Sequence, residues 1–293
     1  MPKSNSSKLG ALRVPCCYQG GKQRIASQVV DHLMKHPLSK SNETVYYDLC
    51  CGSGAVTIEL LNRGVEPQRI VMVDQSSWGA FWKKIGAGSY DLDKLRQLID
   101  EIPEEKKQVK AHVSLLAKQP INDEEAYIYP ILQACSFGGK QIWRENNEWR
   151  NAFFRDYWEP TSTSKRRSPA NPMQPSPLTL FKRIEAISTR AQGITCHQMD
   201  VLEAIDLMQE NEKTIVYIDP PYAGMTNYGF QLDIDRFVRL YLSQQKAPLF
   251  VSENRPLSEN AFRLDFGGAK GGISGNKPSK HDEWLSEFDG LLQ

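Results

Sequence analysis

The chain has 293 residues, 40% hydrophobic and 24% charged, which excludes a wholly disordered chain and suffices for a full hydrophobic core. Lys and Arg number 36 against 35 Asp and Glu, so a net charge of +1 points to no polyanion, and any such partner must be met by local patches. No stretch approaches the roughly 18 apolar residues of a membrane span. The length fits one large domain or two smaller ones.

The opening MPKSNSSKLGALRVPCC is polar and lacks the apolar run of a secretory leader, so no leader is expected. Of the six cysteines, Cys16–Cys17 and Cys50–Cys51 are adjacent pairs and Cys135 and Cys196 stand alone. There is no CxxC, and the histidines do not sit at zinc spacing from them, so no metal is expected. Free thiols in a reducing cytoplasm follow from this usage.

Residues 45–49 (VYYDL) read as a buried strand, followed by the small-residue turn CCGSG and a helical run AVTIELLNRG. Residues 70–74 (IVMVD) form a short apolar run ending on an acid. This order of strand, glycine turn, helix, strand and acid opens a doubly wound α/β domain. Residues 81–134 carry apolar positions at helical spacing, and 135–158 are aromatic and polar. Residues 159–177, with five prolines, read as a loop. From Cys135 to Arg183 there are nine Lys or Arg against four Asp or Glu, a local basic excess. Apolar strands return at 214–219 (TIVYID) and 247–254 (APLFVSEN). The chain therefore divides into a core in two parts, 1–80 and 178–293, around an inserted, mainly helical region at 81–177.

Two constellations carry chemistry. In the first, Asp48, Gly52, Gly54 and Asp74 suit a nucleoside: the glycines let it approach the backbone, and an acid at the next strand tip can accept from ribose hydroxyls. The dinucleotide fingerprint GxGxxG fails at Thr57, which favours a cofactor without a pyrophosphate. Alone, such a turn equally fits a structural tight turn. An acid at a strand tip is expected to face the ligand and not the core.

In the second, Asp219-Pro220-Pro221-Tyr222 follows directly on a strand. The prolines stiffen the tip. The Asp219 carboxylate and Pro220 carbonyl are left as acceptors beside the Tyr222 ring, and this suits a flat substrate bearing an amino group. The tetrapeptide alone also fits an ordinary loop; its place at a strand's carboxyl end favours a site.

DLCCGSG followed by DPPY resembles the S-adenosylmethionine-dependent amino-methyltransferases. YQGGK (18–22), SFGGKQIWRENNEWRNAFF (136–154), ITCHQMDVLEAI (194–205) and GGISGNKPSKHDEWLSEF (271–288) narrow the resemblance to the Dam-type (D12 class) DNA adenine N6-methyltransferases, in that family's motif order. The resemblance implies a Rossmann-like S-adenosyl-L-methionine-dependent core with an inserted DNA-recognition region, acting on a flipped-out adenine in double-stranded DNA. It implies that Tyr18, Lys22, Asp48, Gly52, Gly54, Asp74 and Asp200 surround the cofactor, and that Asp219, Pro220 and Tyr222 hold the target base. Lys140, Trp143, Arg144, Arg150, Lys165, Arg166, Arg167 and Lys277 become the DNA-contacting candidates. The sequence departs from the family pattern at Cys50, usually aromatic, and at Ala152-Phe153-Phe154, usually Pro-Phe-Gly.

Other readings stay open. The charged run Lys165–Arg167 also fits a solvated surface, and the aromatic residues 143–158 equally fit a small core. Cytosine N4 in DNA, adenine in RNA, and a DNA-binding homologue without activity are the alternative functions. No membrane and no obligatory protein partner is expected.

Overall fold

The computed structural model describes residues 10–120, 122–208, 213–221, 229–265 and 282–289. Tyr222 and Lys277 lie outside them.

The central sheet begins where the sequence places it. β1 (Val45–Leu49) enters the turn 50–54, and α2 (Ala55–Asn62) follows α1 (Ala26–Lys35) in chain order. β2 (Ile70–Val73) leads to α3 (Ser77–Gly86), whose Ser76 cap accepts the Trp78 N–H. After a long excursion the chain returns to the sheet as β5 (Thr195–His197), β6 (Thr214–Ile218), β7 (Leu249–Glu253), β8 (Ala261–Leu264) and β9 (Glu283–Phe288). α8 (Val201–Leu207) joins β5 to β6, and α9 (Ile234–Gln244) joins β6 to β7.

The seven strands run in the order β5-β2-β1-β6-β7-β9-β8. β5, β2, β1, β6 and β7 are parallel, and β9 runs against both β7 and β8. The order reverses between β1 and β6. Such a switch point leaves a crevice at the carboxyl ends of its two strands.

Alternation of side chains across the strands separates two cores. On one face Leu49, Val73, Val216, Ile218, Leu249 and Val251 pack with Phe237 and Tyr241 of α9 and Val201 and Ile205 of α8. On the other, Tyr46, Met72, Ile215, Tyr217 and Phe250 share a cluster with α1, α2 and α3.

The excursion from α3 to β5 holds α4 (Leu92–Asp100), α5 (Lys106–Leu116), α6 (Glu125–Cys135), a hairpin of β3 (Trp143–Glu145) and β4 (Glu148–Arg150), and α7 (Pro177–Arg190). Every residue of α6 is buried, so it is the spine of this part. Its Tyr127 to Leu132, with Leu95, Val113 and Ile184, belong to the cluster that also covers the sheet. The excursion and the sheet thus share one core, and the division after residue 80 falls inside α3. Between β4 and α7 the chain forms no helix and no strand longer than an isolated bridge pair. Among the described residues no helix is long and apolar enough to cross a membrane.

Candidate active site

The glycine turn is held from three sides. Cys50 has φ 55°, Gly52 φ 51° and Gly54 φ 76°, so three of its five residues lie in the left-handed region. A Cβ on Gly54 would meet the Trp82 ring at 2.2 Å. Trp82 Nε1 also donates to the Gly52 carbonyl at 3.1 Å, locking that ring beneath the turn. On the β2 side, Asp74 Oδ2 accepts the Gly52 N–H at 2.7 Å, while Oδ1 accepts the Ser76 N–H and hydroxyl at 2.8 and 2.5 Å. Asp74 is therefore buried and fastens the turn to the sheet, against the expectation that a strand-tip acid faces only the ligand. The reason is local: three donors converge on it, and burial without such partners would be costly. Burial still pushes its carboxyl above the ordinary range, the Ser76 and Gly52 donors opposing.

Asp48 shows the same economy. Its Oδ2 accepts both the N–H and the hydroxyl of Thr57, at 3.1 and 2.7 Å. The residue that breaks the dinucleotide fingerprint thus ties α2 to the tip of β1. Asp48 is fully buried, which pushes its pKa up to about 6 against the Thr57 hydrogen bonds.

Across the switch point, β6 delivers Asp219 and Pro220. The Asp219 N–H donates to the Leu49 carbonyl at 3.2 Å, fixing this tip beside the turn. Lys22, from the segment before α1, is buried with its Nζ 2.5 Å from Asp219 Oδ1 and 3.4 Å from Glu283 Oε1. It also donates to the Gly20 carbonyl at 3.2 Å. Lys22, expected at the cofactor, stands on the catalytic candidate. Burial pushes the Asp219 pKa up to about 7; the Lys22 ammonium lowers it, and Glu283 and Asp48 raise it.

These tips line one open cleft, whose space, open solvent included, is about 920 Å³. Tyr18, Lys22, Asp48, Cys50, Gly52, Asp74, Asp200, Asp219 and Pro220 all contribute to its wall. Gly54 caps α2 just behind it. Asp200 caps α8, its Oδ1 accepting the Leu202 N–H at 2.8 Å. Two buried side-chain oxygens on the wall, Gln19 Oε1 and Ser53 Oγ, have no hydrogen-bond partner among the described residues. Such orphaned atoms fit a polar ligand that supplies their partners. Among the described residues no group of three or more His, Cys, Asp or Glu is placed to hold a metal. All six cysteines are free thiols; Cys50 sits on the cleft wall, its thiol pushed up by burial and the surrounding carboxylates.

The basic candidates lie elsewhere. The β3–β4 hairpin turns at Asn146 (φ 49°) and Asn147 (φ 63°), the paired left-handed residues of a tight hairpin turn. Its register sets Arg144 opposite Trp149, and Trp143 opposite Arg150. Trp149 is buried and stacks on Tyr129 of α6, ring centroids 5.6 Å apart. Arg144 stands on that same packed face, with Nη1 2.7 Å from Glu125 Oε2 of α6, and Ser77 donates to the other Glu125 oxygen at 2.5 Å. Arg150 pairs with Glu145 and Glu148 on the opposite face. Lys140 is exposed beside the hairpin, and Trp143 packs on Gly229, where a Cβ would meet its ring at 2.2 Å. Lys165 and Arg167 are exposed and Arg166 half-buried in the Pro-rich loop, where Arg166 donates to the Pro169 carbonyl at 3.0 Å. The aromatic stretch divides: Trp149 and Phe154 are core, whereas Phe153 and Trp158 are exposed.

Sequence reasoning missed Glu283, Trp82, Glu125 and Gln141, the last on the cleft wall with its Oε1 accepting the Gly229 N–H at 3.2 Å. An acid at the opening of the strand EWLSEF was a visible signal for Glu283, and Trp78 and Trp82 at helical spacing were one for a stack under the turn. Glu125 and Gln141 carried none, because their partners are distant in sequence.

No curated protein matches this chain. Residues 18–137 match the family model of the D12 class N6 adenine-specific DNA methyltransferases, a stretch that includes Tyr18, Lys22, the glycine turn, Asp74 and α6. That stretch is thus similar to the D12 class, whose members methylate DNA, and Asp219 and Pro220 lie outside the match.

Proposed function

We propose that the protein transfers a methyl group from S-adenosylmethionine to N6 of an adenine flipped out of duplex DNA. The observation that carries this reading is the meeting of the glycine turn and the Asp219-Pro220 tip in one cleft. When bound there, S-adenosylmethionine supplies an electrophilic methyl group. Tyr18, Gly52, Asp74 and Asp200 would hold it, with the orphaned Gln19 and Ser53 oxygens as further partners.

The protein's own work is at the amine. An adenine amino nitrogen is a poor nucleophile, because its lone pair is delocalised into the ring. Accepting its two N–H groups on the Asp219 carboxylate and the Pro220 carbonyl favours a pyramidal nitrogen with a localised lone pair. Positioning and preorganised charge then supply most of the rate. A base inside a duplex cannot reach a cleft at the strand ends, so it must leave the stack; Tyr222 is the candidate to replace the lost stacking.

In this reading residues 1–80 and 178–293 are the catalytic core and 81–177 the recognition region. Lys140, Trp143, Arg144, Arg150, Lys165, Arg166 and Arg167, with Lys277 in the closing segment, meet the duplex. Calorimetry with S-adenosylmethionine, followed by radiolabelled methyl transfer to duplex DNA, single-stranded RNA and a no-acid control, tests the proposal. Saturable cofactor binding and label in N6-methyladenine of the duplex are expected. Label in N4-methylcytosine, in RNA only, or no cofactor binding would overturn it.

A further inference from the structure

A lysine buried against a catalytic carboxylate presents a difficulty for the proposed mechanism. An ammonium at 2.5 Å occupies one of the oxygens on which the target amine depends. Left alone with Asp219, a buried Lys22 would direct its whole charge to that carboxylate, because an opposite charge in a dry site is strongly attractive. Glu283 changes this balance. It is 3% exposed, opens β9, and lies 3.4 Å from Lys22 Nζ, which also donates to the Gly20 carbonyl of its own segment. One cation is thereby divided between two carboxylates.

We propose that Glu283 is a positioning residue of the methyl-transfer site: by sharing the Lys22 ammonium it keeps that cation from committing wholly to Asp219, and so leaves the Asp219 carboxylate available to the target amine. The inference rests on the methyl-transfer reading for its purpose and on the Lys22 geometry for its substance.

The surroundings of Asp219 give the sign of each effect. Lys22 faces it from the segment before α1, Glu283 from β9, Asp48 and Cys50 from β1 and the turn, and Tyr217 from β6 itself. Glu253, at the end of β7, faces Glu283; one of its oxygens accepts the Asn254 N–H, and the other has no partner among the described residues. Lys22 is the cation that acts on Asp219, while Glu253 feels both Lys22 and Arg255. An acceptor must be ionised, so activity climbs as pH rises through the Asp219 titration, near 7. Removing the Glu283 charge lets Lys22 stabilise the Asp219 carboxylate further, and the titration moves down. Removing the Lys22 charge moves it up.

The experiment compares wild-type protein with Glu283→Gln and Lys22→Met. Two quantities are followed against pH: the ¹³C signal of the Asp219 carboxyl, assigned by its loss in Asp219→Asn, and methyl transfer to DNA. Glu283→Gln should lower the titration and the acid limb of the rate by about 1 pH unit, with a lower plateau, and Lys22→Met should raise both by about 1 unit. Thermal melts establish that each variant is folded. Should Glu283→Gln not fold, Glu283→Asp should produce a smaller downward shift, since it withdraws the charge by one methylene. An unchanged Asp219 titration in folded Glu283 variants, or a shift of both variants in one direction, overturns the inference. If the carboxyl titrations move oppositely while the wild type methylates no adenine, the shared lysine stands and the methyl-transfer reading falls.

Discussion

The cleft and the hairpin both concentrate charge, yet they treat it differently. In the cleft Asp48, Asp74 and Lys22 are buried and each is engaged by partners from another element: Thr57, Gly52 and Ser76, and Asp219 with Glu283. On the hairpin Arg150 is paired with its own strand neighbours in solvent, an arrangement worth little to stability. The difference teaches where function is anchored. Buried charges cannot relax when a ligand arrives, so the cleft is preorganised. Exposed charges can exchange one partner for another, which suits contacts to a phosphate backbone whose sequence varies.

The sharpest break of this comparison is Asp219→Ala. It removes one acceptor while keeping both prolines, and methyl transfer should fall at least about a hundredfold with cofactor binding largely retained. Near-normal transfer by steady-state assay would remove Asp219 from the chemistry.

Next in size is Asp74→Ala. Loss of this carboxylate strands the Gly52 and Ser76 donors, so both the melting temperature and S-adenosylmethionine affinity should drop. The affinity loss should be about 1.5–3 kcal/mol by calorimetry. A lower melting temperature with unchanged affinity would leave Asp74 a purely structural fastener.

Arg144→Ala sharpens the other half. If Arg144 also reads a base edge, affinity for the proper site should fall by about 1–3 kcal/mol and selection relax at one base pair. Glu125→Gln separates the packing role, because it weakens the ion pair to α6 without removing the guanidinium. Equal loss on every duplex from both variants would assign Arg144 to packing alone.

The smallest change in selectivity is expected from neutralising Lys165, Arg166 and Arg167 together. All duplexes should weaken alike, and the slope of log affinity against log salt should flatten by up to about 3. A changed sequence preference would reverse the division between reading and phosphate contact.

How much of this was legible follows the same boundary. β1, the glycine turn, α2 and β2 could be read because their signals are local: an apolar run, glycines where φ is positive, an acid at a fixed spacing. The place of Asp219 and Pro220 directly after a strand was legible for the same reason. What stayed hidden depends on long-range contact. Nothing near Asp74 in sequence announces that Gly52 will donate to it, and Lys22 reaches Asp219 across nearly 200 residues. The recognition region was read from composition, which could name its basic and aromatic residues but not sort Trp149 into the core and Phe153 onto the surface. Trp149 takes its place by stacking on Tyr129 of α6, a contact distant in sequence.

The central claim is the modified atom. Modification mapping of DNA from cells producing the wild-type chain, against cells producing Asp219→Ala, reports the base and its sequence context together. The account predicts N6-methyladenine at one recurrent sequence in the first and its absence in the second. Methylated cytosine, or adenine methylation that persists with Asp219→Ala, would contradict it.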